Sequence, residues 1–314
     1  MNTVKEKPQN GASAPLFDEE TIRLLEESDD GQTFTINIEP FPAVSDACNS
    51  CAVHNAANLR SLGVDMTEWD YVVALAGNPN VGKSTVFNAL TGLHQHTGNW
   101  PGKTVSRAEG GFEYGESRYK LVDLPGTYSL LATSMDEEIA RDFILFGQPD
   151  VTIVVVDATR LERNLNLALQ VLEITDRAVI CLNLLDEARR LGLQVDDRRL
   201  ARDLGVPVVA TAARRGEGLD ALLATIADVA TTRATGRAAA RPHRIRSASP
   251  AVGAAVAQLV TQLLAAYPDL PNARWVAMRL LDGDESLSAA VRDGRLAQLG
   301  HGAPAADRQP EPTS

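Results

Sequence analysis

From Tyr71 onward the chain alternates between short, almost wholly apolar runs and longer segments whose apolar residues recur every three or four positions. The runs YVVALA (71–76), YKLVDL (119–124), VTIVVVDA (151–158), AVICLN (178–183) and VPVVAT (206–211) predict strands, because near-continuous β-branched stretches of this length suit strands buried on both faces. Between them STVFNALTG (84–92), DEEIARDFILFG (136–147), NLNLALQVLEIT (164–175) and LDALLATIADVA (219–230) predict helices. Strand and helix in alternation imply an α/β fold, a mainly parallel sheet with helices on both faces, over residues 70–230.

The flanks follow other patterns. Residues 1–69 predict an N-terminal extension, with an acidic cluster FDEETIRLLEESDD and one candidate strand at TFTINIEPFPA. Residues 231–249, TTRATGRAAARPHRIRSAS, are small and Arg-rich and predict a linker. Helical spacing resumes over 250–299, broken at Pro268, Pro271 and Gly283, which predicts a small helical domain. The polar stretch 300–314 predicts a disordered tail.

Composition narrows the partners. A net charge of -11 argues against nucleic acid as the main partner, since that requires clustered Lys and Arg. Three cysteines do not make a disulfide framework, so a reducing cytoplasm fits. The start lacks the apolar stretch of a secretory signal, and no run of 18 apolar residues occurs. A cytoplasmic protein, at most peripheral at the inner face of the cell membrane, is expected.

Three motifs carry chemistry. GNPNVGKST places Gly77, Asn78, Pro79, Asn80, Val81, Gly82, Lys83, Ser84 and Thr85 between a strand and a helix, the context of a phosphate loop. The glycines let backbone N–H groups face phosphate oxygens, Lys83 reaches the β and γ phosphates, and Ser84 holds Mg²⁺. Second, LVDLPG ends a strand with Asp123, whose carboxylate takes the metal through water, and puts the Gly126 N–H where a γ-phosphate would be sensed. Third, Asn183 and Asp186 in NLLD follow a strand. A carboxylate accepts both N1–H and the N2 amino hydrogen of guanine, a donor pair that adenine lacks, so Asp186 selects GTP and GDP. The competing reading is that Asp186 merely caps a helix. The loop TAARRGEGL would close over the base through Ala212 and Ala213.

With these residues the chain resembles the translation-factor-like class of small GTPases and, more closely, the cytosolic G-protein region of the ferrous iron transport protein B (FeoB) family. The resemblance rests on GNPNVGKSTVFNALTG, GNWPGKTV, VDLPGTYSL, DEEIARDFIL, NLLDEA, TAARRGEGLDAL and the helical PNARWVAMRLLDGDESL, and covers roughly residues 70–298. It implies that GNWPGKTV is a first switch loop, that Thr104 joins Mg²⁺ and the γ-phosphate in the GTP state, and that Asn80 helps to coordinate K⁺. Trp100, taken as a surface residue, would stiffen that loop with Pro101; as an ordinary packing residue it would say nothing. Thr127 stands where many small GTPases carry a Gln that orients water, so slow, K⁺-stimulated hydrolysis is expected. Glu137 and Glu138 are either relays of the second switch or a solvated helix start. Ala212 replaces a Ser common in the base-closing loop.

The leading expectation is a GTPase switch for ferrous iron uptake that works with a membrane iron permease. Family members continue into a permease, whereas this chain ends at Ser314, so it is either a stand-alone G protein or a piece of a longer one. The alternatives are a ribosome-assembly or tRNA-modifying GTPase, and a metal-sensing adaptor with little turnover. Oligomeric state is left open. Cys48, Cys51 and His54 form Cys-x-x-Cys-x-x-His, whose thiolates and imidazole suit Fe²⁺ or Zn²⁺, although a structural zinc needs a fourth ligand. The alternative is that all three are plain solvent-exposed residues. Cys181 lies in an apolar run and is expected to be inert core. Metal analysis of the purified protein with and without Cys48→Ser decides the first question: bound Fe²⁺ or Zn²⁺ lost in the variant supports a site, and no metal in either removes it.

Overall fold

In a computed structural model, residues 58–60, 62–92, 95–235, 242 and 250–296 are described. Cys48, Cys51, His54, most of the expected linker and the expected tail lie outside these residues. Seven strands, β1 (Tyr71–Gly77), β2 (Gln95–Asn99), β3 (Ser106–Tyr114), β4 (Ser117–Asp123), β5 (Val151–Asp157), β6 (Ala178–Asn183) and β7 (Val208–Ala210), form one sheet. Their order is β2-β3-β4-β1-β5-β6-β7. The pairs β4-β1, β1-β5, β5-β6 and β6-β7 are parallel, while β2-β3 and β3-β4 are antiparallel.

Side-chain alternation on β1 explains the two-faced core. Val72, Ala74 and Ala76 join one buried cluster, Val73 and Leu75 the other. Helices α1 (Lys83–Thr91) and α6 (Leu219–Thr235) cover the second face through Val86, Phe87, Leu222 and Ile226. The first is covered by α2 (Met135–Leu145) and α3 (Leu161–Ile174), with Ala188 of α4 (Leu185–Arg190) and Leu204 of α5 (Asp197–Leu204). Helix α6 runs five residues into the stretch expected to be a linker.

Three further helices, α7 (Pro250–Ala266), α8 (Ala273–Leu281) and α9 (Glu285–Arg292), break where Pro268, Pro271 and Gly283 stand. They pack onto the α2 and α3 side rather than standing apart. Asn272 Nδ2 donates to the carbonyls of Glu173 and Ile174, both at 2.7 Å. The same Asn272 caps α8 through Trp275 N. Arg141 of α2 is buried and donates to Ser286 Oγ at 2.7 Å and to Asp142 Oδ1 at 2.8 Å, with Asp284 at 3.7 Å.

Two expectations change. Residues 58–60 and 62–69, expected in the extension, pack against the sheet: Leu59 and Val64 are buried in the core, and Arg107 donates to the carbonyls of Leu62 and Gly63. Trp69 lies so close to β3 that a Cβ on Gly111 would sit 2.0 Å from its ring. Second, GNWPGKTV is not a surface loop carrying an exposed Trp. Its start belongs to β2, and its turn is closed by Trp100 N donating to the Val105 carbonyl at 3.0 Å. Trp100 is 4% exposed, edge-on to Phe143 of α2 with ring centroids 5.4 Å apart, under the Arg107 guanidinium. An indole brings a large apolar area, so its burial outweighs the polar character of its neighbours. Strands β2 and β3 escape the apolar-run pattern because QHTGN and SRAEGGFEY are polar and Gly-rich.

Arg141→Ala is expected to cost ~3 kcal/mol in urea unfolding, since it strands the Asp142 carboxylate, whereas Asp284 keeps Arg279 at 3.3 Å. Burial holds the Asp142 carboxyl above its ordinary range, and Arg141 opposes that rise. A raised folded pKa means stability is complete below the unfolded value and falls as pH climbs through the folded one. The Arg141→Ala deficit should therefore widen from about pH 4 to pH 7; a pH-independent deficit would show that Asp142 is not the group left unpaired.

Candidate functional site

The phosphate loop joins β1 to α1 with a backbone that favours glycine and asparagine at two positions. Asn80 and Gly82 have φ of 66° and 83°, the left-handed region. Gly82 is the N-cap of α1, and no side chain caps it. The N–H groups of the first turn therefore point into the loop without a side-chain acceptor, the arrangement that receives an anion. Ser84 and Thr85 are exposed there.

Lys83 Nζ lies 2.5 Å from Asp123 Oδ1, which brings the first two motifs into one cluster. Burial pushes the Asp123 carboxyl up, with Lys83 holding it down. A carboxylate so placed needs a cation beside it to remain charged. Ser84 and Asp123 supply the hard oxygen donors that suit Mg²⁺. Gly126 closes the same corner: a Cβ there would meet Pro79 N at 3.5 Å. Thr104 is not in this cluster. It is exposed in the turn between β2 and β3 and makes no hydrogen bond to Lys83, Ser84 or Asp123 among the described residues.

Asn183 joins the third motif to the first. It is 1% exposed, its Nδ2 donates to the Val81 carbonyl at 3.1 Å, and its Oδ1 accepts from Thr211 Oγ1 at 3.2 Å and Ala213 N at 3.1 Å. One amide thus ties the phosphate loop, the end of β6 and the loop after β7. Asp186 sits in the first turn of α4, whose N-cap is Leu184 with φ of 60° and no side-chain cap, so the helix-cap reading of Asp186 fails. Its carboxylate is left to face the loop after β7. Ala212 is buried and its N–H donates to the Glu217 carbonyl at 3.0 Å.

The segment from Ser129 to Glu138 is more connected than its sequence implies. Ser134 caps α2 through Glu137 N, and Glu137 accepts from Ser129 Oγ and Thr133 Oγ1, both at 2.7 Å. Burial opposes ionisation of Glu137, but these donors bring its carboxyl below the ordinary value. Glu138 pairs with Lys103 at 3.0 Å, so the tip of the β2-β3 turn is held to α2. Neither Glu is merely a solvated helix start. Thr127 is buried. Cys181 is buried, and desolvation lifts its thiol to about 12, which makes it inert core.

A cavity of about 390 Å³ borders the phosphate loop on the α3 side, lined by Asn78, Asn80, Tyr128, Arg160 and Arg163. A larger one, about 430 Å³, lies between α2, α3 and the α7–α8 turn and touches no candidate site residue. Among the described residues no three His, Cys, Asp or Glu side chains cluster as metal ligands, and no helix is long and apolar enough to cross a membrane.

Comparison with known proteins decides the family. The family model described as ferrous iron transport protein B matches residues 71–226. The cytosolic domain of L. pneumophila FeoB is 34% identical with a TM-score of 0.61, and 95% of it is covered by 73% of this chain. This chain belongs to the FeoB family. The cytosolic domain of the T. maritima FeoB iron transporter in its GMPPNP form is 37% identical with a TM-score of 0.64, with 88% of it and 76% of this chain covered. The Fe(2+) transporter FeoB of Escherichia coli strain K12 is 39% identical over 216 residues, 68% of this chain. The chain spans 27% of the length of that FeoB relative. The ribosome-assembly and tRNA-modification readings are not favoured by these matches.

Thr211 and Arg215 are site residues that the motifs did not reveal. Thr211 matters only through its contact with Asn183, and Arg215 only through its approach to Asp186; neither type signals such a role in a sequence. Gly82→Ala is expected to fail at this junction, because its Cβ would lie 2.5 Å from Asn183 Nδ2 at a positive φ. A cost of ~2 kcal/mol in stability and at least about tenfold weaker binding of fluorescent GDP are expected; wild-type affinity would show that the loop tolerates a side chain there.

Proposed function

We propose that this protein binds GTP and GDP and hydrolyses GTP as the switch of a ferrous iron uptake system, coupled to a membrane permease. The observation that carries it is the Asn183 side chain, which joins a phosphate loop to a base-reading loop. A site built to hold phosphate alone has no use for that link.

In this reading the backbone N–H groups of residues 80–85, leading into the α1 N-terminus, surround the α and β phosphates, with Lys83 on the β and γ oxygens. Ser84 and Asp123, joined by Thr104 were the β2-β3 turn to close, would hold Mg²⁺, which would supply positive charge to the phosphates. The Asp186 carboxylate reads guanine, and the backbone at Ala212 and Ala213 lines the base pocket. Because the Ala213 N–H donates to Asn183 in this structure, base binding would share or replace that bond. Water attacks the γ-phosphorus, the bond to the β–γ bridging oxygen breaks, and GDP and phosphate leave.

The finer reading concerns rate. Thr127 is buried and has no amide with which to position water, so intrinsic hydrolysis is slow. Asn80, exposed at a positive φ beside the phosphates, is the side chain through which K⁺ would add the missing positive charge. Movement of the Thr104 turn would reach α2 through Lys103–Glu138 and Trp100–Phe143, and the helical unit through Arg141. That is the route by which nucleotide state would be felt by a permease.

K⁺ in place of Na⁺ is expected to raise kcat by at least about tenfold, below the 10³–10⁵ of an arginine finger, with Asn80→Ala losing the rise and Lys83→Ala losing nucleotide. Equal turnover in the two salts would sink the cation reading. Retention of inner-membrane proteins on the purified protein with a non-hydrolysable GTP analogue, and their loss with GDP, tests the coupling; identical retention in both states would count against it.

A further inference from the structure

The carboxylate assigned to guanine already has a partner. Arg215, from the loop after β7, places Nε 3.3 Å from Asp186 Oδ2. Arg190 Nη2 stands farther off, at 3.9 Å, and is shared with Glu187 at 3.5 Å. Asp186 is only 12% exposed, whereas Arg215 is 57% exposed and so free to swing out. The Arg215 side chain is oriented in turn by Glu217, 3.8 Å from Nη1, and Glu217 is held from the other side by Arg189 at 2.8 Å.

A guanidinium and the N1–H/N2–H edge of guanine offer the same chemistry, a planar pair of N–H donors side by side. One carboxylate that is mostly out of water cannot serve both at full strength. We propose that Arg215 is a latch over Asp186: its guanidinium, which reaches Oδ2 through Nε, competes with guanine for the carboxylate, and GDP or GTP must displace it to bind. Arg215 then limits how fast and how tightly nucleotide binds without deciding which base is chosen, because any base entering the pocket must break the same pair. The inference rests on Asp186 as the guanine reader.

A pair with one exposed partner is worth a few tenths to one kcal/mol, equivalent to about a two- to fivefold change in affinity. Arg215→Ala is therefore expected to tighten GDP and GTP by about two- to fivefold, mainly through faster association in stopped-flow fluorescence, with the ratio of GDP to ADP affinity unchanged. Arg215→Lys, which keeps the charge but loses the planar fork, should fall between the two. Asp186→Asn supplies the control, since an amide accepts the xanthine N1–H and donates to its O2. That variant should prefer xanthosine diphosphate, and adding Arg215→Ala to it should leave the xanthosine diphosphate affinity unchanged. Unchanged or weaker GDP binding in Arg215→Ala, or an equal gain in the Asp186→Asn background, overturns the latch. If instead Asp186→Asn keeps its preference for GDP, the guanine-reading role of Asp186 fails, whatever Arg215 does.

Discussion

The geometry of the site depends on one buried amide. Asn183 uses both ends of its side chain, donating to Val81 and accepting from Thr211 and Ala213. A side chain buried to this degree cannot exchange its partners for water, and each unmade bond would cost ~1–3 kcal/mol. Three loops from distant parts of the sequence are thereby held in one register at the carboxyl ends of parallel strands, where α/β sheets bind ligands. The absence of a side chain at Gly82 belongs to the same constraint, since the Asn183 amide fills the space a Cβ would take.

A second set of contacts leads away from the site. The β2-β3 turn is anchored to α2 twice, by an aromatic edge contact at Phe143 and by an ion pair at Glu138. Two residues before Phe143, Arg141 reaches the helical unit at Ser286 and Asp284. Helix α2 thus touches the β2-β3 turn, the loop after β4 through Glu137, and the helical unit.

Much of this was legible in sequence. The five core strands and four long helices follow from apolar periodicity, and the phosphate loop, the metal-side Asp123 and the Asn183–Asp186 pair from motifs set between strand and helix. The helical unit's breaks at Pro268, Pro271 and Gly283 were equally readable. What was not legible has a common cause. Strands β2 and β3 and helices α4 and α5 are polar, and their positions are set by neighbours rather than by their own pattern. Trp100 looked exposed because its flanks, Gly98, Asn99, Pro101 and Gly102, are those of a loop, yet the pocket beside Phe143 and Arg107 is formed only once α2 and β3 are in place.

The alternation of strand and helix, the phosphate-loop motif at the end of β1 and the family follow from the order of residues alone. These are local properties: a residue's periodicity, its φ tolerance, its donor set. Tertiary contacts alone show that Asp186 is no helix cap, that Glu138 holds the β2-β3 turn, that Arg141 joins α2 to the helical unit and that Arg215 sits on Asp186. The first turns on which residue takes the N-cap position, and the other three on a partner far away in the chain or across a loop, which leaves no periodicity to read.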